Sequence, residues 1–191
     1  STVTYTLNEI VANYAQNVGT YQVVITVPAF EGNYLETIVT TTLTINKATY
    51  DMSDVEFNDI NVVYDGNVHT AIISGELPSG VTPSYTNNTL TNVGTISASV
   101  SFIYDTLNYN ELESMSATIT ITPAAIDSVS VDDFPDQIYT GNAITPKPVL
   151  RYNGMILVEG NDKDYTVEYA NNVEHGTATI TIVGKGNYNG T

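Results

Sequence analysis

A chain of 191 residues with 21 acidic and only 5 basic side chains carries a formal net charge of −16. That balance excludes the basic footprint that nucleic acid and anionic lipid surfaces require. The absence of cysteine excludes disulfides, thiolate metal sites and a cysteine nucleophile. Hydrophobic residues make up 42%, enough for packed cores, yet no apolar run approaches the ~20 residues of a membrane span.

In chain order, the first pattern is Tyr5-x-x-Asn8, a strand end leading to a turn. Leu7, Ile10, Val11 and Tyr14 fall at helical spacing, but the stretch 7–16 stands where later copies carry a shorter polar turn, so it reads as a loop insertion with at most one helical turn. Asn17-Val18-Gly19-Thr20 then opens an alternating run in which Tyr21, Val23, Ile25 and Val27 share one face. Asn33-Tyr34 follows, and Thr41-Thr42-Leu43-Thr44-Ile45 reads as a second strand with Leu43 and Ile45 inward, forming an antiparallel pair with the first.

The pattern then returns. Val62-Val63-Tyr64-Asp65-Gly66 is a strand ending in a glycine turn, and Leu77-Pro78-Ser79-Gly80 is another turn. Tyr85-x-x-Asn88 and Asn92-Val93-Gly94-Thr95 precede Ile96, Ala98, Val100 and Phe102 on one face. Asn108-Tyr109 and Ala117-Thr118-Ile119-Thr120-Ile121 complete the copy. A third copy matches Gln137-Ile138-Tyr139-Thr140-Gly141 to the glycine-turn strand and adds a hairpin turn at Tyr152-Asn153-Gly154. It continues through Tyr169-x-x-Asn172, a worn His175-Gly176-Thr177, the run Ala178, Ile180 and Ile182, and Asn187-Tyr188. Gly19, Gly94 and Gly176 lie 75 and 82 residues apart, a period suited to tandem small domains. The alternation of β-branched and Thr/Ser residues makes each strand half-buried, with Tyr21, Tyr64 and Tyr139 at core positions.

Junctions fall where 47–51 matches 123–127. The expected organisation is 1–48 as the C-terminal part of a first repeat, 49–124 as a complete second repeat, and 125–191 as a third repeat without its last strand. Each junction is about four residues with no Gly/Ser tract, so the repeats should form a stiff array whose neighbours touch.

Lys47-Ala48-Thr49-Tyr50-Asp51-Met52-Ser53, Val63-Tyr64-Asp65-Gly66 and Leu77-Pro78-Ser79-Gly80-Val81 resemble the MBG repeats (mucin-binding, β-grasp-related) of Gram-positive surface proteins. The third copy resembles a sister repeat of clostridial and related surface proteins through Tyr139-Thr140-Gly141, Tyr152-Asn153-Gly154, Tyr165-Thr166-Val167-Glu168-Tyr169 and Gly184-Lys185-Gly186-Asn187-Tyr188. The resemblance implies a bacterial surface or secreted array. It designates no catalytic residue, and the mucin association transfers by analogy alone. A cysteine-free secreted protein suits that habitat.

Residues able to carry chemistry are few. His69 and His175 occupy non-equivalent places and lack a nucleophile elbow, so both read as structural. The junctions collect oxygen ligands, which makes Asp51, Asp54, Asp127 and Asp132 candidates for calcium; solvated acidic linkers are the alternative. Tyrosine is the sugar-stacking residue at hand, since tryptophan is absent. Tyr34, Tyr109 and Tyr188 recur with their Asn as structural corners, whereas Tyr14, Tyr104 and Tyr152 do not recur and are the freer ligand candidates.

The expected fold is therefore all-β: tandem small antiparallel Ig-like sandwich modules, or alternatively β-grasp-like sheets. The expected role is non-catalytic spacing and display in an extracellular adhesin-like protein, with neighbouring repeats as partners, no nucleic acid and no membrane insertion. The alternative is a weak glycan- or mucin-binding module, of the kind that can be appended to a secreted glycan-active enzyme.

Overall fold

The computed structural model describes residues 1–7, 10–30, 32 and 34–191. It is all-β, and among the described residues its only helical element is a 3-10 turn, Ile126–Ser128. The chain packs as two compact units.

The first unit comprises Ser1–Val55, Gly75–Ser84 and Ser101–Ser114. Its sheet contains β1 (Thr2–Leu7), β2 (Ile10–Ala12), β3 (Gly19–Val27) and β4 (Thr37–Ile45) in the order β2-β1-β3-β4, with every neighbour antiparallel. Tyr21 and Val23 are buried and Gln22 is exposed, as the alternation predicts. The stretch read as a loop insertion is instead partly strand: Thr6 pairs with Val11 and Leu7 with Ile10. The β-branched Ile10 and Val11 favour pairing over a helical turn, and their exposure shows that the helical spacing marked no core face. Leu43 also departs from expectation. Its strand β4 is the outer member of the sheet, so Leu43 stays exposed beside the buried Tyr21 that it pairs with. Asn8 and Asn33, named in the sequence patterns, lie outside the described residues.

The second unit comprises Glu56–Ser74, Tyr85–Val100 and Met115–Thr191. Its strands are β5 (Ile60–Val63), β6 (His69–Thr70), β7 (Thr82–Thr86), β8 (Thr89–Leu90), β9 (Gly94–Ile103), β10 (Met115–Thr122), β11 (Ala124–Ala125), β12 (Ser130–Val131), β13 (Leu150–Tyr152), β14 (Met155–Ile156), β15 (Tyr165–Ala170), β16 (Thr179–Gly184) and β17 (Tyr188–Asn189). Residues 82–84 of β7 and 101–103 of β9 are counted with the first unit. The main sheet runs β5-β10-β9-β7. Strands β9 and β10 are antiparallel, but β5 and β10 are parallel, which the antiparallel expectation did not include. A parallel pair needs a long connection, and these two strands have most of the second repeat between them.

The smaller sheets are β6-β8, β12-β13-β14 and β15-β16, all antiparallel, and the parallel pair β11-β17. Asn153 (φ 48°) and Gly154 (φ 82°) form the two-residue turn between β13 and β14, as their order predicts. The core of this unit joins Tyr64, Ile121, Ala124, Ile126, Leu150, Leu157, Tyr165 and Tyr188.

Further positions differ from the sequence reading, Val27 among them: expected inward, it is 46% exposed. Tyr139 is 61% exposed, although its counterpart Tyr64 is buried at 9%. Ala178, expected inward, is exposed. The left-handed residues of the Tyr-x-x-Asn turns are Asn87 (φ 52°) and Asn171 (φ 56°), one position before the asparagines singled out. Asn88 and Asn172 work through their side chains instead. Asn88 Nδ2 donates to Ala71 O at 2.9 Å and Asn172 Nδ2 to Ile144 O at 3.0 Å.

Candidate functional site

The arrangement that recurs in both units is a joint between one repeat and the next. It starts from the Asn-Val-Gly turn. Gly19 and Gly94 share a φ of +155°, and Gly176 at the worn third turn has +146°, a region that a side chain resists. The turn leaves the N–H of the residue before glycine pointing outward, in need of an acceptor.

In the first unit that acceptor comes from the Asn-Tyr corner of the second repeat. Val18 N–H donates to Asn108 Oδ1 at 2.8 Å, and Asn108 Nδ2 donates to Asn17 Oδ1 at 3.2 Å and to Asp105 Oδ2 at 2.8 Å. Asp105 in turn accepts the Leu107 and Asn108 N–H groups, and these bonds, with the Asn108 side chain foremost, hold its carboxyl below the ordinary value. Around this amide the junction residues pair in the backbone: Ala48 N–H donates to Asn108 O at 2.9 Å, and Asn110 N–H to Ala48 O at 2.8 Å. Lys47 Nζ donates to Thr106 O at 2.7 Å. Tyr50 stacks on Tyr109 with ring centroids 3.9 Å apart and meets Tyr104 edge-on.

In the second unit the same geometry is built from the third repeat. Val93 N–H donates to Asn187 Oδ1 at 2.9 Å, and Asn187 Nδ2 to Asn92 Oδ1 at 3.1 Å. Ala124 N–H donates to Asn187 O at 3.0 Å, and Ala124 registers with Tyr188 as Ala48 does with Tyr109. The aromatic packing is deeper here. Tyr188 is 4% exposed and takes Tyr64 and Tyr152 edge-on at 5.5 Å each, while Tyr152 Oη donates to Tyr64 O at 2.8 Å. Burial, and after it Tyr64, pushes the Tyr188 phenol well above its ordinary value. What this arrangement does chemically is recognise one turn with one amide, reinforced by tyrosine rings and a short parallel pairing, one residue pair in the first unit and two in the second.

The sequence-derived candidates distribute as follows. Tyr14 is exposed. Tyr104 and Tyr152 are half-buried and engaged within the joints, Tyr104 Oη accepting the Leu112 N–H at 3.0 Å. Of the acids, Asp51 accepts the Ser53 N–H, and the Ser53 side chain, then this N–H, lower its pKa, while Asp132 faces Arg151 Nε at 3.3 Å. Asp54 and Asp127 are exposed. Among the described residues no three His, Asp or Glu side chains converge to hold a metal ion, and no helix is long and apolar enough to cross a membrane. His69 Nε2 lies 3.1 Å from Asp65 Oδ1 in the glycine turn after β5; His175 is exposed.

Sequence reasoning marked Asn108 and Asn187 as corner residues but missed their reach across 90 or more positions. The available signal was that the turn and the corner repeat together. No family model, curated protein or solved structure matches this chain.

Proposed function

We propose that this chain is a non-catalytic spacer and display segment of a bacterial cell-surface or secreted adhesin-like protein, built from tandem Ig-like modules of the MBG kind. The observation that carries this reading is the duplicated joint. Asn108 and Asn187 make the same pair of hydrogen bonds to the same turn of the preceding repeat. A joint made twice with the same atoms suits serial extension, because each ties the turn of one repeat to the corner of the next. The hydroxyl-rich faces of β4 and β10 and the strong negative charge support a solvated exterior. The residues engaged in the joints are spent on internal recognition, which favours architecture over ligand capture.

Two measurements test this. Single-molecule stretching of the full chain should show sequential unfolding events, with the rupture force lowered by Asn187→Ala. Screening the same chain against immobilised glycans and mucin should show no saturable binding. Specific binding that is lost on Tyr14→Ala would replace the spacer reading with the glycan-binding one.

A further inference from the structure

The hairpin of β13 and β14 rests on the glycine turn that follows β5. Tyr152 and Met155 pair across the hairpin, so their side chains leave the same face. On that face Tyr152 Oη donates to Tyr64 O at 2.8 Å, and at the tip Asn153 Nδ2 donates to Asp65 O at 3.4 Å. Met155 meets the next residue of the turn, Gly66. A β-carbon on Gly66 would lie 2.9 Å from Met155 Sδ and nearer still to its Cε, closer than real contacts allow. Gly66 also has a φ of 85°, which a side chain resists. The thioether therefore takes the space that a side chain at 66 would fill. One hairpin of the third repeat thus grips three consecutive residues of the second, 64 to 66.

The sequence holds three methionines and no cysteine, so methionine carries all of its sulfur. Met52 and Met115 are half-buried, whereas Met155 is 37% exposed. The methionine most open to solvent is one whose sulfur packs on the joint. We propose that Met155 is a redox modification site: its oxidation to the sulfoxide by hydrogen peroxide loosens the hairpin from the turn, and with it the joint between the second and third repeats.

The reaction needs only the side chain and the peroxide. A lone pair of Sδ attacks one peroxide oxygen, and the O–O bond breaks as the S–O bond forms. The departing hydroxide takes the proton from the transferred oxygen and leaves as water. Sulfur loses two electrons and the peroxide gains them. Before the reaction the side chain is apolar and flexible enough to fit against the glycine. Afterwards it carries a strong acceptor oxygen that water satisfies and an apolar contact does not. The oxidised side chain is drawn off Gly66 into solvent. The long Asn153 bond at the tip weakens with it, which leaves the Tyr152 bond to Tyr64 as the remaining tie on this face. This inference rests on the geometry of the second joint and not on the spacer reading.

The test exposes the full chain to graded hydrogen peroxide. Peptide mass spectrometry gives the order of oxidation, and melting temperature and amide shifts in the nuclear magnetic resonance spectrum give its effect. Met155 should gain one oxygen before Met52 and Met115. At that stage the melting temperature should fall by several degrees and the shifts should cluster at 64–66 and 152–155. Methionine sulfoxide reductase should restore both. Met155→Leu keeps an apolar side chain of similar volume; it should melt near the unmodified chain and lose the response to peroxide. Met52→Leu and Met115→Leu should retain that response. Oxidation and repair of the unmodified chain need no substitution, so the outcome does not hang on the folding of a variant. Earlier oxidation of Met52 or Met115 would overturn the proposal. So would a Met155 sulfoxide that leaves the melting temperature and residues 64–66 unmoved, or a Met155→Leu chain that loses as much stability in peroxide.

Discussion

Replacing Asn187 by alanine removes the acceptor for the Val93 N–H and the donor to Asn92 Oδ1 in one step. A part-buried N–H left without a partner should cost about 1–2 kcal/mol, read as a lower denaturant midpoint; Asn108→Ala should behave alike in its own unit. Asn187→Asp keeps the acceptor and lets Asn92 turn its amide to donate, so it should recover part of the loss. An unmoved midpoint in both alanine variants would show that the aromatic rings alone hold the joints. Asp65 gives a second check. The Asn67 N–H, then the Asn67 side chain and His69, lower its pKa from 3.8 to about 2. A carboxylate with a depressed folded pKa contributes stability that is complete above its unfolded value and lost as pH falls through about 2. Nuclear magnetic resonance titration of the Asp65 carboxyl should therefore give a midpoint near 2 and not near 4, and the turn after β5 should loosen only in that acidic window. Both asparagines and this aspartate were visible in the sequence as turn residues. Their partners were not, because a side-chain amide carries no mark of which distant N–H it will meet.

Strands β4 and β10 show how far an element can be read by itself. Both alternate threonine with aliphatic residues, and both pair antiparallel with the strand that follows an Asn-Val-Gly turn. Yet Ile119 is fully buried and its counterpart Leu43 is 38% exposed. The difference is neighbours: β10 lies between β9 and β5, whereas β4 is at the edge of its sheet. Ile119→Ala should accordingly cost about 2–4 kcal/mol through the cavity it leaves, and Leu43→Ala less than about 1 kcal/mol. Urea titration of the two variants checks this, and equal losses would contradict the burial contrast. Period-two alternation identified β3, β9, β10 and β16, and Asn153-Gly154 identified the β13-β14 hairpin. The β1-β2 hairpin was missed because Leu7, Ile10, Val11 and Tyr14 also satisfy a helical spacing, and a short apolar set cannot decide between the two periods. The parallel partner of β10 was missed because its pairing spans most of a repeat and leaves no local trace.

For the molecule as a whole, the net charge of −16 should make stability rise with added salt as self-repulsion is screened. Calcium chloride and sodium chloride should raise the melting temperature equally at matched ionic strength. The reason is that Asp132 already faces Arg151, and no three described acidic or histidine side chains converge. A calcium-specific rise of several degrees that disappears in Asp127→Asn would instead establish a coordination site at the second junction. Composition, period and alternation determined that this chain is acidic, cysteine-free, β-rich and repetitive, because those properties depend on residue type and short-range spacing alone. Tertiary structure decided which tyrosine of an equivalent pair is buried, Tyr64 or Tyr139, and that β10 lies inside its sheet while β4 lies at an edge. It also decided that the Asn-Tyr corners bind the turns of preceding repeats. Each of these depends on which strand lies alongside, and strand neighbours are set by contacts between residues tens of positions apart, whose free energy no local pattern encodes.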